Sequence, residues 1–564
     1  MSTTASGPSG SPSEAAAKQL GLERGIDWTG AFWVASGVPP LVLFSIGAVA
    51  ATVGKPSWII WMASIALGFV QSFTYAEIAG LFPDKAGGTS VYGAIAWVRY
   101  SKLVAPVSVW CNWFAWSPVQ AIGSGLAAGY ILNGLFAPDS MINTWQLTLL
   151  DLGAVKAGLA LRVNATFILG AVILLAVKAI QDGGILRSAN TTKILGISAL
   201  IPLILIGLLP MVTGDIVKAN FFPLVPLAHD AAGRVVDGSW DRAGVTLIAG
   251  GMFLAAWSTY GFETAVCYTG EFKNPKTDTF KAIFYSGLLC VLVYTLVPFA
   301  FQGFLGLGEL VQSPVVDAHG AIVTPAIYGG MLAPDIYSGM GVAAVMARMV
   351  HLGGRIGAVV VIMLILALVL SIMTSMAGSS RTLYQASVDG WLPRYLSKVN
   401  AHGAPTNAML TNLGFNLLLL LMSDYVFVLG ASNVGYLMFN FLNLNAGWMH
   451  RMDRPRQERP WRAPTSVIAA GAILSFVNIA FMGMGADVYG AGTLKTGLLF
   501  AALIVPVFVY RHYIQDQGKF PAAMADDLDM VNGEKLSNRA GILPYLVLAV
   551  GAGVVYLSHR LAVY

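Results

Sequence analysis

Charge is scarce in this chain. Only 11% of its 564 residues are Asp, Glu, Lys or Arg, where soluble proteins carry about a quarter. So little charge cannot clothe water-facing domains of that total length, which excludes a soluble enzyme, a nucleic-acid binder and a disordered scaffold. Cysteine is rarer still. Cys111, Cys267 and Cys290 all fall in apolar segments and make neither a disulfide framework nor a metal-ligand cluster. The seven histidines, His229, His319, His351, His402, His450, His512 and His559, sit in loops or at helix ends rather than on one face. No nucleophile, base and orienting group assemble from them. A Gly-rich phosphate loop of the Walker type is also missing, which argues against an ATP-driven pump within the chain. Neither enzymatic activity, a cofactor nor a bound metal is expected.

What the chain does have is apolar length. Hydrophobic residues make up 56% of it, gathered in charge-free blocks such as Trp28–Val53 and 356–377. Crossing about 30 Å of hydrocarbon takes roughly 20 such residues. The expectation is an all-α polytopic membrane protein whose first span is retained behind a disordered cytoplasmic tail over residues 1–27. Further spans are expected at 58–82, 103–136, 164–181, 191–212, 244–270, 279–303, 352–388, 406–423, 425–448, 464–485 and 494–514. A thirteenth candidate lies at 542–560. With the tail inside and sides alternating, predicted inside segments hold 22 of the 33 Lys and Arg and outside segments hold 9, as the positive-inside rule requires. The N-terminus is therefore placed in the cytoplasm, and the basic run 450–462 is read as a cytoplasmic loop at anionic headgroups. Loops near 137–163, 213–243 and 304–351 fall outside, the last with room for a short helix.

Two of these spans are interrupted. In the first, Ala35-Ser36-Gly37-Val38-Pro39-Pro40 lies about ten residues in, and two prolines in a row remove amide donors and clash with the preceding turn. In the sixth, Ser258-Thr259-Tyr260-Gly261-Phe262-Glu263 sets a glycine beside a carboxylate at similar depth. Unpaired backbone in hydrocarbon costs several kcal/mol per group, so such breaks persist where they line a cavity. Spans one to five run from 28 to 212 and spans six to ten from 244 to 448, so each half opens on its broken helix. Five is odd, so the second half enters from the opposite side. That is the layout of a five-plus-five inverted repeat with substrate at the midplane, followed by two accessory helices over 464–514 and a total of 12 to 13 transmembrane helices.

Four stretches carry a resemblance. They are Trp257 to Glu263 followed by Gly270-Glu271-Phe272-Lys273-Asn274-Pro275; Tyr75-Ala76-Glu77 with Phe82-Pro83-Asp84-Lys85-Ala86-Gly87-Gly88 and Tyr92; Gly378-Ser379-Ser380-Arg381-Thr382-Leu383-Tyr384 with Asp389-Gly390-Trp391-Leu392-Pro393, Val399-Asn400 and Gly403-Ala404-Pro405; and Arg459-Pro460-Trp461-Arg462-Ala463-Pro464. Together, in this order over residues 28–465, they resemble the amino acid–polyamine–organocation (APC) permeases, a family with the same five-plus-five (LeuT-like) fold.

The resemblance implies secondary active transport of an amino acid, a related amine or a small organic solute across the plasma membrane by alternating access. Such a permease works as an exchanger or with H+ or Na+ as coupling ion. A channel or a receptor-like solute sensor on the same fold is the other reading. In the family, exposed amides of the first-helix break hold a substrate carboxylate, as helix N-termini hold anions. Carried over, Ser36, Gly37 and Val38 are those donors and Pro39 borders them. The family usually has Gly-x-Gly here, whereas Pro39-Pro40 removes two donors, which points away from a plain α-amino acid.

Trp257 occupies the position of an aromatic gate, or is simply packed. Carbonyls of Ser258 and Thr259 beside Tyr260 and Gly261 would take an ammonium group. Gln120 aligns with a polar substrate contact, or with Asn112 bonds between helices. Glu263 is a candidate for proton coupling, or a structural acceptor for freed backbone N–H groups. Glu77 is read as structural. The family's sodium-mimicking lysine position holds Ala199 here, with Lys193 two turns earlier. Ser371, Thr374 and Ser375 are then possible oxygen ligands for sodium, because hard cations take oxygen donors.

Overall fold

The computed structural model describes residue 22 and residues 24–564, apart from 138, 317–321, 352–354, 532–533 and 536–537. The expected tail thus lies mostly outside the described residues. Its last stretch is packed: Leu22 and Ile26 are buried, and the Gly25 amide donates to the Glu271 carbonyl at 3.1 Å.

Among the described residues, ten helices are long and apolar enough to cross a bilayer: Trp28–Val53, Ser57–Gly80, Arg187–Thr213, Arg242–Glu271, Pro275–Leu305, Gly357–Val388, Tyr425–Asp453, Thr465–Tyr489, Thr493–Gln515 and Leu543–Leu561. A shorter apolar helix covers Ala165–Gln181. Expected span 406–423 is the 15-residue helix Thr406–Leu420. Expected span 103–136 is two helices, Val104–Trp116 and Val119–Leu135, parted at Ser117-Pro118. The helix starts follow capping chemistry: Asp27 accepts from the Thr29 and Gly30 amides, Asn164 from Phe167, Asp241 from Gly244 and Asp424 from Phe427, each satisfying otherwise orphaned donors.

The chain is not helical throughout. Among the described residues, five two-stranded antiparallel sheets decorate the loops, including Gln146–Asp151 with Ala160–Asn164 and Leu227–His229 with Val235–Asp237. The expectation of an all-α chain holds for the bundle only. A backbone outside hydrocarbon can pair between strands, and these loops are long enough to fold back. The loop before Arg355 carries two short helices, Pro334–Tyr337 and Val342–Met349.

Apolar side chains face both ways, as expected where the solvent is lipid. Ile194, Ile197, Ile201, Leu205 and Leu208 form an exposed stripe at helical spacing. The interior is joined by amides and hydroxyls. Asn440 donates to Gln71 at 2.8 Å and Tyr75 at 2.6 Å, and Asn478 donates to Asn440 at 2.8 Å. With no hydrophobic drive between helices in lipid, such bonds and close small-residue contacts hold a bundle together.

Ion pairs sort the loops into two groups. Arg24–Asp84, Lys85–Asp389, Lys85–Asp527, Lys276–Glu458, Arg394–Asp516 and Arg451–Glu77 join one set. Lys55–Asp237, Lys156–Asp424 and His351–Asp215 join another. Helix Leu543–Leu561 runs from the first set to the second: Tyr545 donates to the Tyr100 carbonyl at 2.7 Å, and Arg242 reaches the Arg560 carbonyl at 3.0 Å.

Candidate functional site

The first span stops where its prolines predict. Helix Trp28–Ala35 ends, Pro39–Leu41 makes one tight turn, and the helix restarts at Val42. Two of the three expected amide donors are already committed: Ser36 N–H to the Trp33 carbonyl at 3.2 Å and Val38 N–H to Ala35 at 3.1 Å. Among the described residues the Gly37 amide has no acceptor, so the anion site expected at this break shrinks to one free donor. The freed carbonyls are capped from helix Arg355–Val388. Thr374 donates to Val34 at 2.5 Å and Ser371 lies 2.7 Å from the Gly37 carbonyl. Gly37 leaves no room for a side chain, since a Cβ would fall 2.6 Å from the Leu370 carbonyl oxygen.

The second break sits slightly later than the sequence suggests. Ser258 and Thr259 still belong to helix Arg242–Thr259, and a tight 3-10 segment, Gly261–Glu271, follows Tyr260. The Ser258 carbonyl, expected to be unwound and open, is met by the Tyr294 hydroxyl at 2.9 Å. The same hydroxyl lies 2.7 Å from the Val38 carbonyl, so one phenol joins the two breaks while its ring stacks on Trp61 at 5.6 Å. Periodicity gave no sign of Tyr294, an unexceptional tyrosine in an apolar span. Its replacement by phenylalanine leaves at least one buried carbonyl without a donor and should cost about 1–3 kcal/mol. Thermal unfolding of the purified variant reads that loss.

Gly261 completes the junction: a Cβ there would be 2.3 Å from the Trp116 ring and 3.1 Å from Val38 Cγ1. Trp116 in turn donates from Nε1 to Glu263 Oε1 at 3.0 Å. Thr89 donates to Glu263 Oε2 at 2.8 Å, and Asn112 Nδ2 lies 3.5 Å from Oε1. Glu263 is 1% exposed, and among the described residues it has three neutral donors and no cation. Trp257 is buried, donating to the Ala115 carbonyl at 3.0 Å with its ring 5.9 Å from Phe44. Tyr260 donates to Asn478 at 3.0 Å.

A third break, at Ser117-Pro118, was present in the sequence as a lone proline. The Gln120 amide turns to Ser117, and the Trp116 carbonyl it would meet in a regular helix is taken by Ser375 at 2.6 Å. The Ala121 amide goes to Asn416 at 3.1 Å. Gln120 Nε2 lies 3.3 Å from Ser379 and 3.4 Å from Ser375, while its buried Oε1 has no partner among the described residues. The three hydroxyls considered for sodium are thus divided: Ser371 and Thr374 face the first break and Ser375 faces the third. All fourteen candidate residues are buried.

The remaining shared motifs meet at one end of the bundle. Lys85 pairs with Asp389 at 2.6 Å and Asp527 at 2.9 Å. Burial works against its ammonium, but the two carboxylates outweigh it and hold the Lys85 pKa above its usual value. Glu77 takes a two-pronged contact from Arg451 at 2.8 and 2.6 Å, Arg459 at 3.1 Å and the Ala463 amide at 2.8 Å. Two arginines of the basic run read as a headgroup anchor are therefore spent inside the protein.

Residues 26–509 match the profile of a family described as amino acid permease. The chain is 24% identical over 495 residues to the branched-chain amino acid permease BcaP of Lactococcus lactis subsp. cremoris, covering 85% of this chain and 93% of that protein. It is 24% identical over 247 residues to the polyamine transporter PUT1 of Oryza sativa subsp. japonica, covering 42% and 41%. With ten helices long and apolar enough to cross a membrane among the described residues and a family match over most of its length, the chain belongs to the amino acid permeases of the APC superfamily.

Proposed function

We propose that the protein is a secondary active transporter that moves an amino acid or related amine across the plasma membrane by alternating access, with its substrate site where the broken helices meet. The observation that carries this reading is the convergence of Val38, Gly261, Trp116 and Tyr294 on one buried point. Broken helices facing each other at depth form a site that either half can uncover by moving. The two relatives, one named for branched-chain amino acids and one for polyamines, support an amine-bearing substrate. A carboxylate would find the Gly37 amide; an ammonium would find neighbouring carbonyls and Glu263.

The architecture we propose is the five-plus-five inverted repeat over 28–212 and 244–448, with accessory helices over 464–514 and a thirteenth over 542–560. Alternating the thirteen expected spans puts both partners of every ion pair between distant segments on the same side, which supports the alternation through the twelfth span, and the Tyr545–Tyr100 and Arg242–Arg560 contacts support the thirteenth. The excess of Lys and Arg in the set containing Arg24 supports a cytoplasmic N-terminus.

For coupling, two features offer themselves. Glu263 is a buried carboxyl with no counter-charge, suited to carry a proton. The Val34 and Gly37 carbonyls with the Ser371 and Thr374 hydroxyls gather four oxygens, the donor type sodium takes. Uptake of radiolabelled leucine and putrescine into proteoliposomes, with a proton gradient, a sodium gradient or neither, tests the reading. Accumulation of one of them under one gradient is expected. If neither solute enters or exchanges under any condition, the substrate class is wrong. Glu263→Gln should flatten the pH dependence of uptake, and an unmoved profile would make the residue structural.

A further inference from the structure

At the end of the bundle that carries Lys85, a cavity of about 510 Å³ opens between residues 387–397 and 511–521. Among the described residues it is lined by Arg394, Arg511 and Lys519 against a single carboxylate, Asp516. This end is far in sequence from the breaks, and nothing in the transport reading uses it.

Arg511 is the informative residue. It is 3% exposed, yet among the described residues its Nη1 and Nε make no hydrogen bond. Only Nη2 is satisfied, by the Ser387 carbonyl at 3.1 Å. Asp516 Oδ2 lies 2.7 Å from Arg511 Nε but is itself without a hydrogen bond, so the two touch without alignment. The other oxygen of Asp516 is taken by Arg394 at 3.0 and 2.6 Å. A buried guanidinium normally fills its donors, and this one keeps two nitrogens without a hydrogen bond at the wall of a cavity with an excess of positive charge. The helix that carries it widens to a π-helical turn over Tyr510–Gln515, a distortion found frequently at functional sites.

We propose that this cavity binds a phosphate group, held by Arg511 and Arg394 with Lys519 as a third cation. Guanidinium pairs phosphate oxygens through two parallel donors, which suits Arg511 in particular. The surroundings assign the phosphate to an anionic lipid headgroup. Tyr510, Tyr513, Ile514 and Tyr395 stand exposed beside the cavity, the aromatic and apolar rim that marks a membrane–water interface. Basic pockets at that level are suited to headgroups.

The test uses the full chain in detergent, titrated with phosphatidylglycerol or phosphatidylcholine and read by native mass spectrometry. Tighter retention of phosphatidylglycerol than of phosphatidylcholine is expected. R394Q/K519Q removes two exposed cations and should weaken phosphatidylglycerol by at least about tenfold, with thermal unfolding of the variant checking that the fold persists. D516N, which removes the competing carboxylate, should strengthen it. A parallel thermal-shift titration with inorganic phosphate separates the sources: a shift abolished in R394Q/K519Q, without lipid preference, keeps the phosphate site and overturns the lipid. Equal phosphatidylglycerol binding by the native chain and R394Q/K519Q, with no phosphate shift, overturns the proposal.

Discussion

Arg381→Met should lower the stability of the permease by about 3–5 kcal/mol, the cost of stripping a buried ion pair of one partner. Arg381 is 3% exposed and Glu271 1%. Arg381 Nη2 lies 2.8 Å from Glu271 Oε1, and Nε contacts the other oxygen. Nη1 donates to the Ala377 carbonyl at 3.0 Å, and the Tyr268 ring lies 5.2 Å from the guanidinium. Without Arg381, Glu271 would be left in a site with no other cation in hydrogen-bond reach among the described residues. The damage should also spread, because the Glu271 carbonyl receives the Gly25 and Ile26 amides and so anchors the chain ahead of the first span. Thermal unfolding of the detergent-purified variant measures the loss. The double replacement R381M/E271L should recover most of it, since two apolar side chains leave no buried charge behind. A single variant as stable as the native protein would mean that water reaches Glu271.

That pair illustrates what can and cannot be read from the chain alone. Both residues stand in motifs visible in the sequence, yet nothing local says that they meet, because they are 110 positions apart. The breaks at Pro39-Pro40 and near Gly261 were legible, since a missing amide or side chain acts on its own turn. Their closure was not. Tyr294, Ser371 and Thr374 cap freed carbonyls across gaps of 36 to 340 positions, and hydroxyls on apolar helices have no periodic signature. The same holds for Pro118, whose disruption is repaired by Ser375 and Asn416 from distant helices. Charge counting sorted the loops, but could not foresee that Arg451 and Arg459 would turn inward to Glu77. Sequence patterns locate the places where a helix fails; the partners that make the failure tolerable come from the tertiary arrangement.

Gly261→Ala should reduce transport more than tenfold while leaving membrane insertion intact. The added Cβ would stand 2.3 Å from Cη2 and 3.0 Å from Cζ2 of Trp116, and 3.1 Å from Val38. A flexible side chain could yield, but this ring is rigid and tied. Its Nε1 donates to Glu263 and its ring packs edge-to-face with Tyr436 at 6.1 Å. Relieving the clash therefore either pushes the second break away from the first or pulls Trp116 off Glu263. Overpacking of this kind costs about 1–3 kcal/mol, which a bundle of this size can absorb in stability. It cannot absorb it in geometry, because the displaced groups are those proposed to surround the substrate. Gly553→Ala is the matched control: it lies in helix Leu543–Leu561 with nothing within 4 Å of its Cβ position, and should transport normally. Uptake by both variants, normalised to protein inserted in proteoliposomes, separates the cases. If Gly261→Ala transports like Gly553→Ala, the two breaks need not stay in contact and the site lies elsewhere in the bundle.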